Sequence, residues 1–421
     1  MPRGAPRAIS AAAPTPFTAA PAKYRKTSSP RTCWAFAPRA RKTEERPVNF
    51  ELSEEQQLLQ DSVARFVADH YSLEARRKLA DSTLGFSEDH WRQFAELGWL
   101  ALPFAEEDGG LGGTAIDAMV VMEQLGKGLV LEPFFATVIL GGGVLRRLPP
   151  SELRSARIAE VMEGKLKLAL ATTEIQSRWD LHDVVSTASP QGDGFVLNGA
   201  KSVVLHGACA DGIIVSLRTQ GGQFDKEGIS LFWVDPKADG VSLKAYPTVD
   251  GLRAAELTLD KVEVGPEALL SPLHGGFAIL EAVAQEAVLA LSAEGLGAME
   301  RLYKDTVEYT QNRDQFGHPL SDFQTLQHRM VEMFMEYEQC KSLLYRATLE
   351  HLQGGLEASK TVSACKHLVG VAGRFIGENA VQLHGGMGVT EELAIGHYFK
   401  RLFVIDTQFG NADYHLERYA A

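Results

Sequence analysis

From residue 53 onward, apolar residues recur with a helical period. Leu59, Val63, Phe66 and Val67 form one face, and Ser53 and Gln56 stand ahead of them at capping-box spacing, so a globular segment opens here with a helix. A second helix is predicted over 88–97, then a glycine-rich loop over 103–113 and a long apolar helix over 115–125. Between about 168 and 270 the period changes. Short β-like runs at 167–173, 183–188, 194–197, 212–217, 229–234, 241–245 and 255–264, punctuated by Gly and Pro, predict a small barrel or sandwich. Within that stretch Asn198-Gly199 reads as a hairpin turn.

Helical spacing returns after Gly275 through Leu289, Leu296, Met299 and Leu302 and runs to about Tyr419, as expected of a four-helix bundle. Near its end Val369, Ala372, Phe375, Ile376, Ala380 and Leu383 share a face. Gly385-Gly386 then closes the helix where a positive φ is expected, and a backbone without Cβ atoms lets a ligand come close. The simplest use of such a pair is a C-cap between two packed helices.

Length and composition narrow the picture. A chain of 421 residues with 45% hydrophobic content can bury a large core and suggests two or three domains. No apolar run stands out as membrane-spanning, which predicts no membrane insertion. Cys33, Cys209, Cys340 and Cys365 form neither a CxxC pair nor a Cys/His ligand cluster, so no metal site is expected and the plain reading is a reduced, cytoplasmic protein. The net charge of -12 argues against nucleic-acid binding, yet residues 1–47 carry ten Lys or Arg against two Glu. That Ala-, Pro-, Arg- and Ser-rich leader reads as a transit peptide or, preferred here, as a misassigned bacterial start: Val48 as a GTG initiator preceded by Glu44-Glu45 encoded by a ribosome-binding sequence.

Four motifs share one resemblance. Gln382-x-x-Gly385-Gly386-x-Gly388-Val389-x-x-Glu392, the loop of residues 102–113, Thr172-Thr173-Glu174 with Phe195–Lys201, and above all Arg313-x-x-Phe316-Gly317-x-x-Leu320-x-x-Phe323-Gln324 resemble signatures of the acyl-CoA dehydrogenase family. The resemblance spans Asn49 to Ala421. It implies an α+β chain: a leader over 1–47, an N-terminal helical domain over 48–166, a middle β-barrel or sandwich over 167–270 and a C-terminal four-helix bundle over 271–421. It also implies FAD as cofactor, an acyl-CoA substrate, α,β-dehydrogenation and an electron-transfer flavoprotein as acceptor. Arg313, Phe316, Gln324, Gln382, Gly385 and Gly386 are then expected at the FAD adenosine and pyrophosphate of a neighbouring subunit, and Thr173 at the flavin. A fixed guanidinium fork beside a phenyl ring and an amide suits that role chemically, whereas an exposed Arg and a buried Phe of an ordinary helical hairpin are the plainer alternative.

The catalytic half departs from the family. The usual base, a Glu before Gly, falls on Phe409-Gly410, and the alternative base position falls on Ala287, with Glu286 beside it as the candidate carried forward. Val203 and Leu205 replace the family's flavin-facing Trp and Thr, so no hydroxyl is expected at flavin N5. Asp406 and Asp413 lie nearby and read as capping or solvated carboxylates. The family usually has Lys or Arg at His397 and an acid at Arg401. Order and pattern most resemble the small-subunit branch typified by pimeloyl-CoA dehydrogenase, which implies a homologous large subunit as partner in a hetero-oligomer. A noncatalytic structural subunit, or another flavoenzyme such as an oxidase or monooxygenase, stands as the alternative.

Overall fold

A computed structural model describes residues 51–421, so the leader and the Val48 start lie outside the described residues. The first helix, α1 (Glu54–His70), begins at the expected capping box: Ser53 Oγ accepts from Gln56 N at 3.2 Å and Gln56 Oε1 accepts from Ser53 N at 3.1 Å. Ser72 and Ser87 cap α2 (Leu73–Ala80) and α3 (Glu88–Glu96) through their side-chain oxygens, and Thr114 with Asp117 forms a second capping box at α4 (Ala115–Gly128). In the loop before α4, a Cβ at Gly110 would stand 2.2 Å from the Phe104 carbonyl oxygen, so that glycine is demanded by packing. A seven-residue π-helical segment (Phe135–Gly141), α5 (Gly142–Arg147) and α6 (Glu152–Met162) complete this part.

The middle region is a seven-stranded curled sheet: β1 (Leu168–Ala171), β2 (Thr187–Gln191), β3 (Gly194–Leu205), β4 (Gly212–Arg218), β5 (Ile229–Val234), β6 (Val241–Pro247) and β7 (Arg253–Val264). Its path is β1-β4-β2-β3-β7-β6, with β5 added on β4. Leu197, Val215, Leu217, Phe232, Leu257 and Val262 fill its interior. Asn198-Gly199 is not a hairpin turn. The β2–β3 reversal uses Gly192, at φ 59°, while Asn198-Gly199 forms an irregularity inside β3, where the register against β7 shifts and a Cβ on Gly199 would meet Ser186 Oγ at 2.2 Å.

The C-terminal region holds α7 (Gly276–Asn312), a two-residue-per-strand hairpin (β8, Asp314–Gln315; β9, His318–Pro319), α8 (Gln324–Gln353), α9 (Leu356–His384), α10 (Ala394–Thr407) and α11 (Ala412–Ala420). α7 contains an 18-residue window of mean hydropathy 1.5, long and apolar enough to cross a membrane, and 61% of that window is buried inside the fold. Its glycines explain how. A Cβ on Gly297 would lie 1.9 Å from the Glu123 carbonyl oxygen and one on Gly126 2.1 Å from that of Glu294, so α4 and α7 touch backbone to backbone. One hydrophobic core therefore runs from Val63 on α1 to Leu402 on α10, joining the two helical regions.

A buried ionic cluster fastens the sheet to these helices. Arg401 on α10 grips Glu294 of α7 through Nε and Nη2, both at 2.6 Å, and Asp250 of the β6–β7 turn at 2.8 Å. Arg76 of α2 donates to the Asp250 carbonyl at 2.6 Å and the Leu129 carbonyl at 2.8 Å. All four side chains are buried, so each charge survives only because the others face it.

Candidate active site

A large cavity, about 590 Å³, lies between the sheet and the N-terminal part of α7. One face of α7 forms a wall: Phe277, Glu281, Ala284, Gln285 and Val288 recur at i, i+4, i+7, i+8 and i+11. Opposite stand Leu170, Thr172 and Thr173, with Val203 and Leu205 from β3, and the segment Gln408-Phe409 closes one side.

The Thr172-Thr173 edge is rigidly held. Glu174 follows it into the interior, accepts from Lys201 Nζ at 2.7 Å and receives the Val185 and Ser186 amides at 2.9 and 3.1 Å. Burial pushes the Glu174 carboxyl up, but Lys201 outweighs it and the group titrates at about 2; burial lowers Lys201 to about 8 against the opposing pull of Glu174. Trp179 Nε1 donates to the Thr407 carbonyl at 2.7 Å, tying the same loop to the end of α10.

Phe409 sits where the family's base was counted, at φ 55° and edge-on to Phe135, with ring centroids 6.1 Å apart. Its loop is pinned by Lys366, a fully buried lysine of α9 that donates to the carbonyls of Ile405 (2.8 Å), Asp406 (3.0 Å) and Gly410 (2.8 Å). Burial lowers Lys366 to about 8. His415 Nε2 donates to the Phe409 carbonyl at 2.9 Å, which leaves its Nδ1 an acceptor; Nδ1 and Gln408 Oε1 are both buried with no hydrogen-bond partner among the described residues. Lys366, Gln408 and His415 escaped the sequence reading. A lysine among the apolar positions Val362, Cys365 and Val369 was the available signal for the first; the other two carried none.

Glu286 does not face this cavity. Successive helical residues are rotated by about 100°, and Glu286 falls well away from the Glu281–Gln285–Val288 face. It lines a separate cavity of about 310 Å³. Its carboxylate takes Arg146 Nη2 and Arg147 Nη2, both at 2.7 Å, and these guanidiniums overcome the upward push of burial to hold it below the usual carboxylate range. A carboxylate so engaged, on the wrong side of the helix, cannot reach anything in the large cavity, so the geometry does not support it as a base there. Ala287 is buried in the core. Asp406 Oδ1 accepts from Ala412 N at 3.0 Å, and Asp413 lies in the first turn of α11, so both act at chain turns. Among the described residues lining the large cavity, only Asp180 and Glu281 carry carboxylates, and Glu281 is exposed.

The remaining predicted residues gather at the other end of α7. Tyr309 stacks on His384 with centroids 4.1 Å apart, joining the ends of α7 and α9, so the Arg313–Gln324 hairpin and the Gln382–Gly386 turn emerge together. Arg313, Gln324 and Gln382 are exposed, as is Phe316 at 88% and φ 59°. Gly385 ends α9 at φ 58°, as expected, and a Cβ on Gly385 or Gly386 would meet no atom of the described residues within 4 Å. This is an open shelf. At 1.5 Å per residue it lies about 40 Å along α7 from Gln285.

Comparison with known proteins gives this arrangement a family. Residues 53–165, 169–262 and 274–421 match the N-terminal, middle and C-terminal domains of acyl-CoA dehydrogenases. The acyl-CoA dehydrogenase IpdE2 of Mycolicibacterium smegmatis is 30% identical over 352 residues, 83% of this chain and 93% of that protein. The FAD complex of PigA superposes with a TM-score of 0.81 at 26% identity, covering 88% of this chain and 98% of the other. A variant of the Tcur3481-Tcur3483 steroid ACAD gives 0.78 at 28%, covering 87% and 97%.

The chain belongs to the acyl-CoA dehydrogenase family: it is an oxidoreductase acting on acyl-CoA, with FAD as cofactor. Its own residues suit that cofactor unevenly. The shelf offers an exposed guanidinium and a backbone that nothing crowds, while the large cavity keeps Thr173 but presents Val203, Leu205 and Phe409, with no hydroxyl or carboxylate at those three places.

Proposed function

We infer that this chain is the small subunit of a two-subunit, FAD-dependent acyl-CoA dehydrogenase, and that its shelf serves a flavin whose reacting ring lies against a homologous partner. FAD, when bound, supplies the hydride acceptor for α,β-dehydrogenation of the thioester. Arg313 would hold the pyrophosphate, Gln382 and Gly385-Gly386 would admit the adenosine moiety to the backbone, and Phe316 and Gln324 would flank it. The observation that carries the reading is the cavity lining of Val203, Leu205 and Phe409, which a second copy of this chain would not repair; the separation within α7 by itself requires only that one FAD span two chains. The proton at the α carbon is left to the partner, because Phe409 and Ala287 cannot accept it and Glu286 is turned away. An electron-transfer flavoprotein is the proposed acceptor, and the cytoplasm the proposed compartment.

The test is to purify Val48–Ala421 alone and with the product of an adjacent homologous gene, then measure FAD per chain and dye reduction with acyl-CoAs. One FAD per pair, with activity only in the pair, is expected. FAD bound one to one by the single chain with acyl-CoA dehydrogenation would overturn the two-subunit reading. Flavin in the pair with oxygen consumption instead of dye reduction would point to an oxidase or monooxygenase.

A further inference from the structure

The cavity of about 310 Å³ beside Glu286 has no part in the reading above. It is a partly open cavity lined by the start of α4, the π-helical segment, α5, α7 and the last turn of α8, together with Pro103, Gly113 and Thr114 of the glycine-rich loop. One end is charged. Arg146 and Arg147 converge on the single carboxylate of Glu286, with His351 alongside, and all three members of that ion-paired group are mostly buried. Among the described residues these two guanidiniums share the one carboxylate of Glu286, which leaves a net positive charge at this end of the cavity. Arg146 Nε is also buried with no acceptor among the described residues, the kind of donor that proteins seldom leave unmet. Burial lowers the Arg146 pKa, and it also lowers His351, so at neutral pH the imidazole adds no charge to the balance. The other end is apolar, walled by Met119, Ile139, Leu289 and Ala290.

We propose that this cavity binds a free monocarboxylate with a short apolar tail. The carboxylate would accept the Arg146 Nε–H and neutralise the residual charge, while the tail covers the Met119–Leu289 wall. A cavity of about 310 Å³ has room for a chain of several carbons, and octanoate, a carboxylate with such a chain, is the probe chosen. A dianion fits less well, since only one positive charge is uncompensated and Glu286 stands next to the site. A neutral alcohol of equal length lacks the charge. The site lies on the face of α7 turned away from the large cavity, so its fate is separate from that of the subunit assignment.

Octanoate binding to the purified chain, alone or in its complex, tests this by calorimetry at pH 7, with octanol and octyl phosphate as comparisons. One saturable octanoate site per chain is expected, with octanol and octyl phosphate weaker. Glu286→Gln removes the competing carboxylate and should tighten octanoate about tenfold, whereas Arg146→Gln should weaken it at least about tenfold. These opposite signs cannot both come from damaged folding. Leu289→Phe should abolish binding by filling the apolar end, and Lys226→Ala in the large cavity should leave it unchanged. No saturable binding, equal affinity for octanol, weaker binding in Glu286→Gln, or loss in Lys226→Ala would each overturn the proposal.

Discussion

The two ends of α7 are built on opposite principles. Toward its N-terminal half the helix is enclosed: Val288 and Ala284 look into a walled cavity, Ala287 into the core, and Glu294 into a sealed cluster with Arg401 and Asp250. At its C-terminal end Arg313, Phe316 and Gln324 lie in the open, with Phe316 meeting Phe323 edge-on at a centroid distance of 6.1 Å. Folding explains the first set. The proposed flavin contact would account for the second, because an 88% exposed phenylalanine at a left-handed backbone position gains little from the fold beyond its edge contact with Phe323.

Substitutions sharpen this contrast, and the largest effect belongs to the enclosed end. Arg401→Met removes one guanidinium and leaves Glu294 and Asp250 buried without their partner, which should cost about 3–5 kcal/mol in denaturant unfolding. An effect below about 1 kcal/mol would show that the cluster is solvated and the contrast overstated.

Acid should act on the same half. Burial holds His206 at about 4 and His415 at about 3. Both folded values lie below the unfolded imidazole value of about 6.5, so between these limits the unfolded chain binds more protons and stability falls as pH falls. The loss begins near pH 6.5, reaches up to about 3 kcal/mol per pH unit for the two groups together, and is complete only below the folded values. Glu174, held at about 2, adds a loss of the same direction below about pH 4.5. Urea unfolding at pH 7, 6 and 5 reads this slope, and His415→Gln should reduce it; a flat profile would show that neither imidazole is buried uncharged.

At the open end the readout moves from folding to flavin. Arg313→Ala should lower FAD retention after gel filtration by the equivalent of about 1.5–3 kcal/mol while leaving unfolding unchanged. The smallest expected effect is on the stability of Phe316→Ala, within about 0.5 kcal/mol of the parent, accompanied by weaker FAD binding. A destabilised Phe316→Ala with normal flavin would place that ring in the fold and erase the difference between the two ends.

Local signals were read correctly where local chemistry decides. Ser53 and Gln56 set the start of α1, a continuous β-like run gave β5, and Gly385 ended α9 with a positive φ. The three-part α+β order and the FAD-binding family followed from motifs that each lie within a few residues of one another. Asn198-Gly199 misled because a turn dipeptide and an irregularity inside a long strand call for the same backbone freedom, and only pairing with β7 tells them apart.

What the sequence determined by itself is therefore most of the elements and their order. Tertiary structure alone decided which side of α7 each residue serves. Counting places Glu286 next to Ala287, but the roughly 100° step between neighbours acquires meaning only once α4, α5 and the sheet have packed and fixed which face is which. The same packing assigned Lys366 to three carbonyls about forty residues away and made Arg401 the centre of a cluster drawn from α7 and the β6–β7 turn. Contacts of that range leave no period and no motif, because the partners are brought together by the core and not by their spacing along the chain.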